Sequence, residues 1–163
     1  MYWYLIHAKP RQEQTALTNL QQQDFECYLP LHYREHVSSS GLVINAEPLF
    51  PRYLFIHLNS DKSARSWAPI RSTRGVSRLV CFGNEPAKIE SRLIDALRSR
   101  ENATAPAKQF RTGDTVLIDE GPFKGLEALY QMQNGEQRAM ILIEMLSRPI
   151  LLDIDRHQLR RIK

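Results

Sequence analysis

Residues 2 to 7, Tyr-Trp-Tyr-Leu-Ile-His, are apolar at odd and even positions alike, the pattern of a strand buried on both faces in the middle of a sheet. Pro10 ends that run and is expected to open an amphipathic helix through about Gln22, with Ala16, Leu17 and Leu20 turned inward. Residues 25–37 read as an extended stretch broken at Pro30, residues 38–41 (Ser-Ser-Ser-Gly) as a turn, and residues 42–47 and 53–58 as two further strands. A short helix ended by Pro69 is expected within residues 61–70, another strand over 76–82, and a helix over 89–100 with Ile89, Leu93, Ile94 and Leu97 on its stripe. The sum predicts an α+β unit over residues 1–100 with a mostly antiparallel sheet.

Residues 101–110 carry no periodicity and are small, polar and proline-containing, which reads as a linker. Short β-rich runs punctuated by Gly113-Asp114, Gly121-Pro122 and Gly125 then predict a second, small unit over residues 111–163, of the kind that closes into a barrel with tight corners. Within it, residues 126–146 fit two templates. With period 2, Ala139, Ile141, Ile143 and Met145 share a strand face, and Asn134-Gly135 is a hairpin turn. With period 3.6, Ala139, Leu142, Ile143 and Leu146 make one helical stripe, and Glu136, Gln137, Ala139, Met140 and Leu142 are good helix formers. Sequence leaves both open.

The chain has 163 residues, 42% hydrophobic and 25% charged, the balance of an ordinary globular protein. Its six-residue apolar start is too short for a secretory or membrane segment, so a cytoplasmic protein without a membrane partner is expected. The net charge of +4 is unevenly placed: residues 1–100 hold 13 Lys plus Arg against 9 Asp plus Glu, residues 111–163 hold 8 of each. Arg65, Arg71, Arg74 and Arg78 follow one another with no acidic residue between them, a local positive surface able to meet phosphates. Cys27 and Cys81 lie far apart and read as strand residues, so neither a disulfide framework nor a zinc site is indicated. His32 and His36 have a metal-compatible spacing, but the β-rich context denies them the helix that would put them on one face. No phosphate loop, metalloprotease or nucleophile-elbow pattern is present, so no cofactor and no catalytic role are expected. By contrast, Leu49, Phe50, Tyr53 and Phe55 concentrate apolar and aromatic surface around two prolines, which suits an exposed docking patch as well as a core.

The stretches WYLIHAKPRQE, EPLFPRYLF, IRSTRGVSRLVCFG and GDTVLIDEGPFKGLEA, in this order, resemble the NusG family of transcription elongation factors over essentially the whole chain, and the two middle ones resemble most its specialised RfaH-type members. The resemblance implies an N-terminal NGN domain (residues 1–100) that binds RNA polymerase, the linker 101–110, and a C-terminal KOW domain (residues 111–163) with the motif DTVLIDEGPFKG. It implies that Leu49, Phe50, Tyr53, Phe55 and Ile94 belong to a patch that docks on the clamp helices of the polymerase, and that Ser66, Trp67 and Ala68 reach the other jaw. It further implies that Lys9, Arg11, Arg71, Thr73, Arg74 and Arg78 meet the exposed non-template DNA strand, through arginine contacts to phosphates and base edges. Thr15, Asn19 and Gln22 replace more basic or imidazole residues of the RfaH-type proteins, which implies a different recruitment sequence.

RfaH-type members hold the C-terminal unit as an α-helical hairpin on the polymerase patch and refold it, after recruitment, to a five-stranded β-barrel that couples to the ribosome through a small-subunit ribosomal protein. By that resemblance Glu47 and Arg138 form an interdomain ion pair, with Leu126, Tyr130, Leu142 and Met145 in the interface. Pro122 and Pro149 would interrupt the helices, since an interior proline costs about 3 kcal/mol or more, so helices from about Pro122 to Gln133 and from about Glu136 to Arg148 are expected. The function implied is an operon-specific elongation and antitermination factor, monomeric and not an enzyme. A general NusG-type role is the alternative within the family, and a ribosome-associated KOW protein that binds RNA is the alternative outside it; the even charge of residues 111–163 weighs against the latter.

Overall fold

The computed structural model describes residues 2–59, 66–104 and 129–147. In chain order it contains β1 (Tyr2–Ala8), α1 (Glu13–Gln22), β2 (Glu26–Tyr28), β3 (Leu31–Ser38), β4 (Gly41–Pro48), β5 (Tyr53–Leu58), α2 (Ala68–Arg71), β6 (Val76–Leu79), β7 (Cys81–Phe82), β8 (Glu85–Pro86), β9 (Lys88–Ile89), α3 (Ser91–Thr104) and α4 (Gly135–Ser147). As its two-sided apolar pattern predicts, β1 is central: it pairs antiparallel with β5 along one edge and with β6 and β9 on the other, and β2 closes the far side of β5. β3 and β4 form a separate long hairpin turning at residues 38–41, and β7 and β8 a short one. The architecture is α+β with antiparallel pairing, as expected.

Alternation along β1 and β5 sorts the side chains into two cores. Tyr4, Ile6 and Ala8 meet Leu54, Ile56 and Leu58 on one face, where α1 adds Ala16 and Leu20 and α2 adds Ile70. Trp3, Leu5 and Phe55 lie on the other face, under Leu93, Ile94 and Leu97 of α3 and Ala139, Leu142 and Met145 of α4. Gly75, at φ 93°, lets α1 approach the first of these faces: a Cβ there would lie 2.7 Å from the Ala16 nitrogen.

Several element boundaries differ from the sequence reading, for local reasons. Pro10 sits in a turn closed by the Gln12 amide on the Lys9 carbonyl, and α1 starts only at Glu13. Pro69 opens α2 instead of ending a helix, in the first turn where its missing N–H costs nothing. The run 76–82 is split at Val80, whose amide turns to the Leu5 carbonyl and whose side chain joins the core. Ile89 pairs with Trp3 in β9, so α3 begins at Ser91, and it continues through Thr104 into the stretch read as linker.

Candidate docking surface and its helical cover

The residues singled out as a docking patch come together around the turn between β4 and β5. Leu49, Phe50, Phe55 and Ile94 are each fully buried, and Tyr53 is half-buried against the same cluster. Phe55 packs edge-on to Phe50 at 6.4 Å and stacks on Tyr28 at 6.2 Å. The burial has an identifiable source: Leu129, Tyr130, Ala139, Leu142 and Met145 join Leu49, Phe50 and Phe55 in one cluster. In the full chain, therefore, residues 135–147 take the helical template and cover the patch. α4 spans Gly135–Ser147, close to the expected bounds; Leu126, Pro122, Pro149 and the KOW motif lie outside the described residues.

Asn134-Gly135 is not a hairpin turn here. The Asn134 Oδ1 accepts hydrogen bonds from the amides of Glu136 (2.8 Å) and Gln137 (3.3 Å), so Asn134 is the N-cap of α4. Gly135 is needed for contact, because a Cβ there would lie 2.6 Å from Pro51 Cγ. Replacing Asn134 by Ala is expected to weaken α4 by about 1 kcal/mol, read as faster amide exchange over residues 136–139.

Arg138 is the centre of the interface and is fully buried. Its Nε donates to the Leu49 carbonyl at 2.7 Å, its Nη1 to the Met132 carbonyl, and its Nη2 to Glu47 Oε1 at 3.2 Å. Burial draws the guanidinium below its ordinary range, and the Glu47 carboxylate opposes this. Glu47 is 38% exposed and also faces Arg34 at 3.5 Å, while Arg34 Nη2 donates to the Gln133 carbonyl at 2.7 Å. Two of Arg138's three partners among the described residues are backbone carbonyls, which a reading of charges alone does not find. The Tyr130 hydroxyl adds a bond to the Leu97 carbonyl, and Arg100 lies over its ring at 4.9 Å.

His32 stands opposite Glu47 in the hairpin register, and its Nδ1 is buried with no hydrogen-bond partner among the described residues. Burial, and then the Arg138 guanidinium, hold the imidazole below its ordinary range; Glu47 pulls the other way, and Arg34 and Arg100 add to the lowering. Release of α4 removes Arg138 and part of the burial, so the uncovered state binds the proton more tightly. The covered state is then favoured above a pH of 6.5, the ordinary histidine value, and loses ground as pH falls below it. Helical NMR shifts over residues 135–147 should decline from pH 8 to pH 5.5, and less so in His32→Phe.

The basic residues separate into two groups. Lys9, Arg11, Arg71 and Arg74 are exposed around α1 and α2. Thr73 is buried, its hydroxyl donating to the Pro69 carbonyl and accepting from Gln23 Nε2, both at 2.8 Å, so it is a strut of this surface and not a free contact. Arg78 is exposed but belongs to the other face of the sheet, opposite His7. Ser66 is exposed; Trp67 is half-buried edge-on to Tyr4 at 4.9 Å, with its Nε1 on the Asn59 carbonyl. Among the described residues no group of His, Cys, Asp or Glu could hold a metal, and no helix is long and apolar enough to cross a membrane.

A solved structure described as "Domain interaction in Thermotoga maritima NusG" overlaps loosely, at a TM-score of 0.44 and 15% identity, over 68% of this chain and 60% of its own. The transcription termination/antitermination protein NusG of Thermus thermophilus is 27% identical, with 93% of this chain and 94% of its own length covered. That of Helicobacter pylori strain 26695 is 26% identical over 99% of both chains. The family model described as transcription termination factor nusG matches residues 1–98, more than half of the chain, so this protein belongs to the NusG family of transcription termination and antitermination factors.

Proposed function

We propose that this protein is an RfaH-type specialist: an operon-specific elongation and antitermination factor that docks on the clamp helices of RNA polymerase through Leu49, Phe50, Tyr53, Phe55 and Ile94. Lys9, Arg11, Arg71 and Arg74 meet the non-template DNA strand, and Ser66 and Trp67 border the second polymerase contact. The observation that carries this reading is the cover: α4 is helical and seated on the patch, with Arg138 buried against the Leu49 carbonyl. A surface that must be exposed for recruitment is thereby closed in the free chain, and an opening step gives selectivity that an always-open factor lacks. Once released, residues 111–163 act as a KOW domain, refolding to a five-stranded barrel that couples transcription to translation through a small-subunit ribosomal protein. The protein works as a cytoplasmic monomer without cofactor or catalytic step.

The test is pause suppression and polymerase binding by Tyr53→Ala and by Tyr53→Ala with Phe55→Ala. Tyr53 is the half-buried member, so its single variant keeps the core and should weaken binding several-fold; the double variant should abolish it. Unchanged polymerase binding in both would sink the proposal. The second reading is a general NusG-type factor, favoured by relatives that carry the NusG name across nearly their whole length. It expects strand-like shifts over residues 135–147 in solution in both the full chain and the isolated C-terminal fragment.

A further inference from the structure

Three strands bring a row of side chains to the rim of the patch. His7 on β1 stands opposite Tyr53 on β5 and Arg78 on β6, and directly opposed residues of antiparallel strands share a face. Arg78 reaches that row through a bulge. Val76 opposite Ala8 and Leu79 opposite Ile6 both pack on the α1 side, and the register shifts between His7 and Ala8. Without the extra residue, simple alternation would send Arg78 to the same side as Val76; the bulge re-aims it.

Arg52 joins the row from the turn before β5. The Tyr53 amide closes that turn on the Phe50 carbonyl at 2.9 Å, and Arg52 holds φ 72° in the third position, which glycine takes without strain. Its carbonyl accepts from the Ala8 amide at 2.7 Å and its Nε donates to the Ala8 carbonyl at 3.1 Å, which tethers the side chain beside His7. A non-glycine residue kept in the left-handed region and tied down in this way points to a use for its side chain. His7 itself is half-buried, 5.0 Å from the Tyr53 ring, and its Nδ1 has no hydrogen-bond partner among the described residues. Burial, Arg52 and Arg78 hold the imidazole below its ordinary range. Glu13, the carboxylate that packs here, is buried and its Oε2 is taken by the Arg52 amide. The strip is positive, and among the described residues no carboxylate forms an ion pair with Arg52 or Arg78.

We infer that Arg52, His7 and Arg78 form a carboxylate-recognising strip along the rim of the patch, fitted to a partner helix whose apolar seam is flanked by Asp or Glu. The inference rests on the reading of the patch as a polymerase dock and adds the chemistry that orients the partner on it. Phosphates are the competing ligand, but His7 and Arg78 share their sheet face with Tyr53 and Phe55, whereas Arg71 belongs to α2, which packs on the opposite face. Charge at the rim of an apolar contact sets register and association rate.

Two affinities of the full chain distinguish these cases: for core RNA polymerase free of nucleic acid, and for a single-stranded DNA oligonucleotide. Arg78→Glu should weaken polymerase binding by roughly tenfold or more, since like charges across an interface repel, and leave the oligonucleotide affinity within about twofold. His7→Gln should weaken polymerase binding in the same direction by less, and Arg78→Lys should retain most of it. Polymerase affinity unchanged in Arg78→Glu overturns the strip, and so does a loss confined to the oligonucleotide, which would assign Arg78 to nucleic acid. If Tyr53→Ala loses polymerase while Arg78→Glu does not, the docking reading stands and the strip falls; if Arg78→Glu, Tyr53→Ala and the Tyr53→Ala, Phe55→Ala double variant all keep it, both fall.

Discussion

Replacing Arg138 by Ala should uncover the patch, whereas replacing Glu47 by Ala should barely do so. In the first variant the Leu49 and Met132 carbonyls lose their buried donor, Glu47 loses its buried partner, and the space of a fully buried side chain is left behind. Unmet buried polar groups cost about 1–3 kcal/mol each, and loss of one member of a buried pair about 3–5 kcal/mol. Because Glu47 is 38% exposed and can rehydrate, the lower end applies, about 3 kcal/mol, or roughly a hundredfold in the ratio of covered to uncovered chain. In Glu47→Ala the guanidinium keeps both carbonyls, and a half-exposed carboxylate is worth about 0–1 kcal/mol. NMR secondary shifts over residues 135–147, with the rate of proteolytic cleavage, would measure both. Equal effects would mean that the ion pair and not the carbonyl bonds holds α4 in place.

Leu142→Asp should have a larger effect still and a more selective one. Leu142 is 1% exposed in the cluster that joins α4 to Phe55 and Leu49. Truncating a buried leucine costs about 2–5 kcal/mol, and a carboxylate left in that position adds a desolvation cost of its own. The sum exceeds what a thirteen-residue helix can recover by itself, since isolated helices of that length are marginal. The core on the α1 side contains no residue of α4, so residues 2–104 should stay folded while helix is lost and dye binding to the apolar face rises. An unchanged helical signal with no gain in dye binding would show that α4 does not depend on this contact.

The strands were legible where one periodicity acted alone. β1, β5 and the β3–β4 hairpin follow directly from two-sided or alternating patterns with a serine-glycine turn between them. Residues 126–146 were not, because Ala139 and Ile143 satisfy either template, and what decides between them lies far away in sequence: a carbonyl at Leu49, a ring at Pro51 and the Phe55 face. The cluster of Leu49, Phe50, Tyr53 and Phe55 was legible from its aromatic and apolar residues, but composition alone could not say that a helix covers it. Thr73 was placed on the DNA-facing surface by the family resemblance, and its burial as a strut depends on Gln23, fifty residues away. The aim of Arg78 was hidden for a different reason: one extra residue in a strand reverses every later side chain, and no residue type at Ser77 announces it.

The two-sided character of β1 also separates opening from unfolding. Its odd residues face the helical cover and its even residues face α1, so one strand belongs to both cores while its ladder bonds belong to neither. Departure of α4 strips apolar cover from Leu5 and Phe55 without breaking any pairing of β1 with β5. In hydrogen exchange the β1 amides should therefore open only with the whole N-terminal unit, while the amides of α4 open on a faster clock of their own. The same strand thus works as a stationary floor, and the chain can expose and re-cover its patch many times for each time that it unfolds.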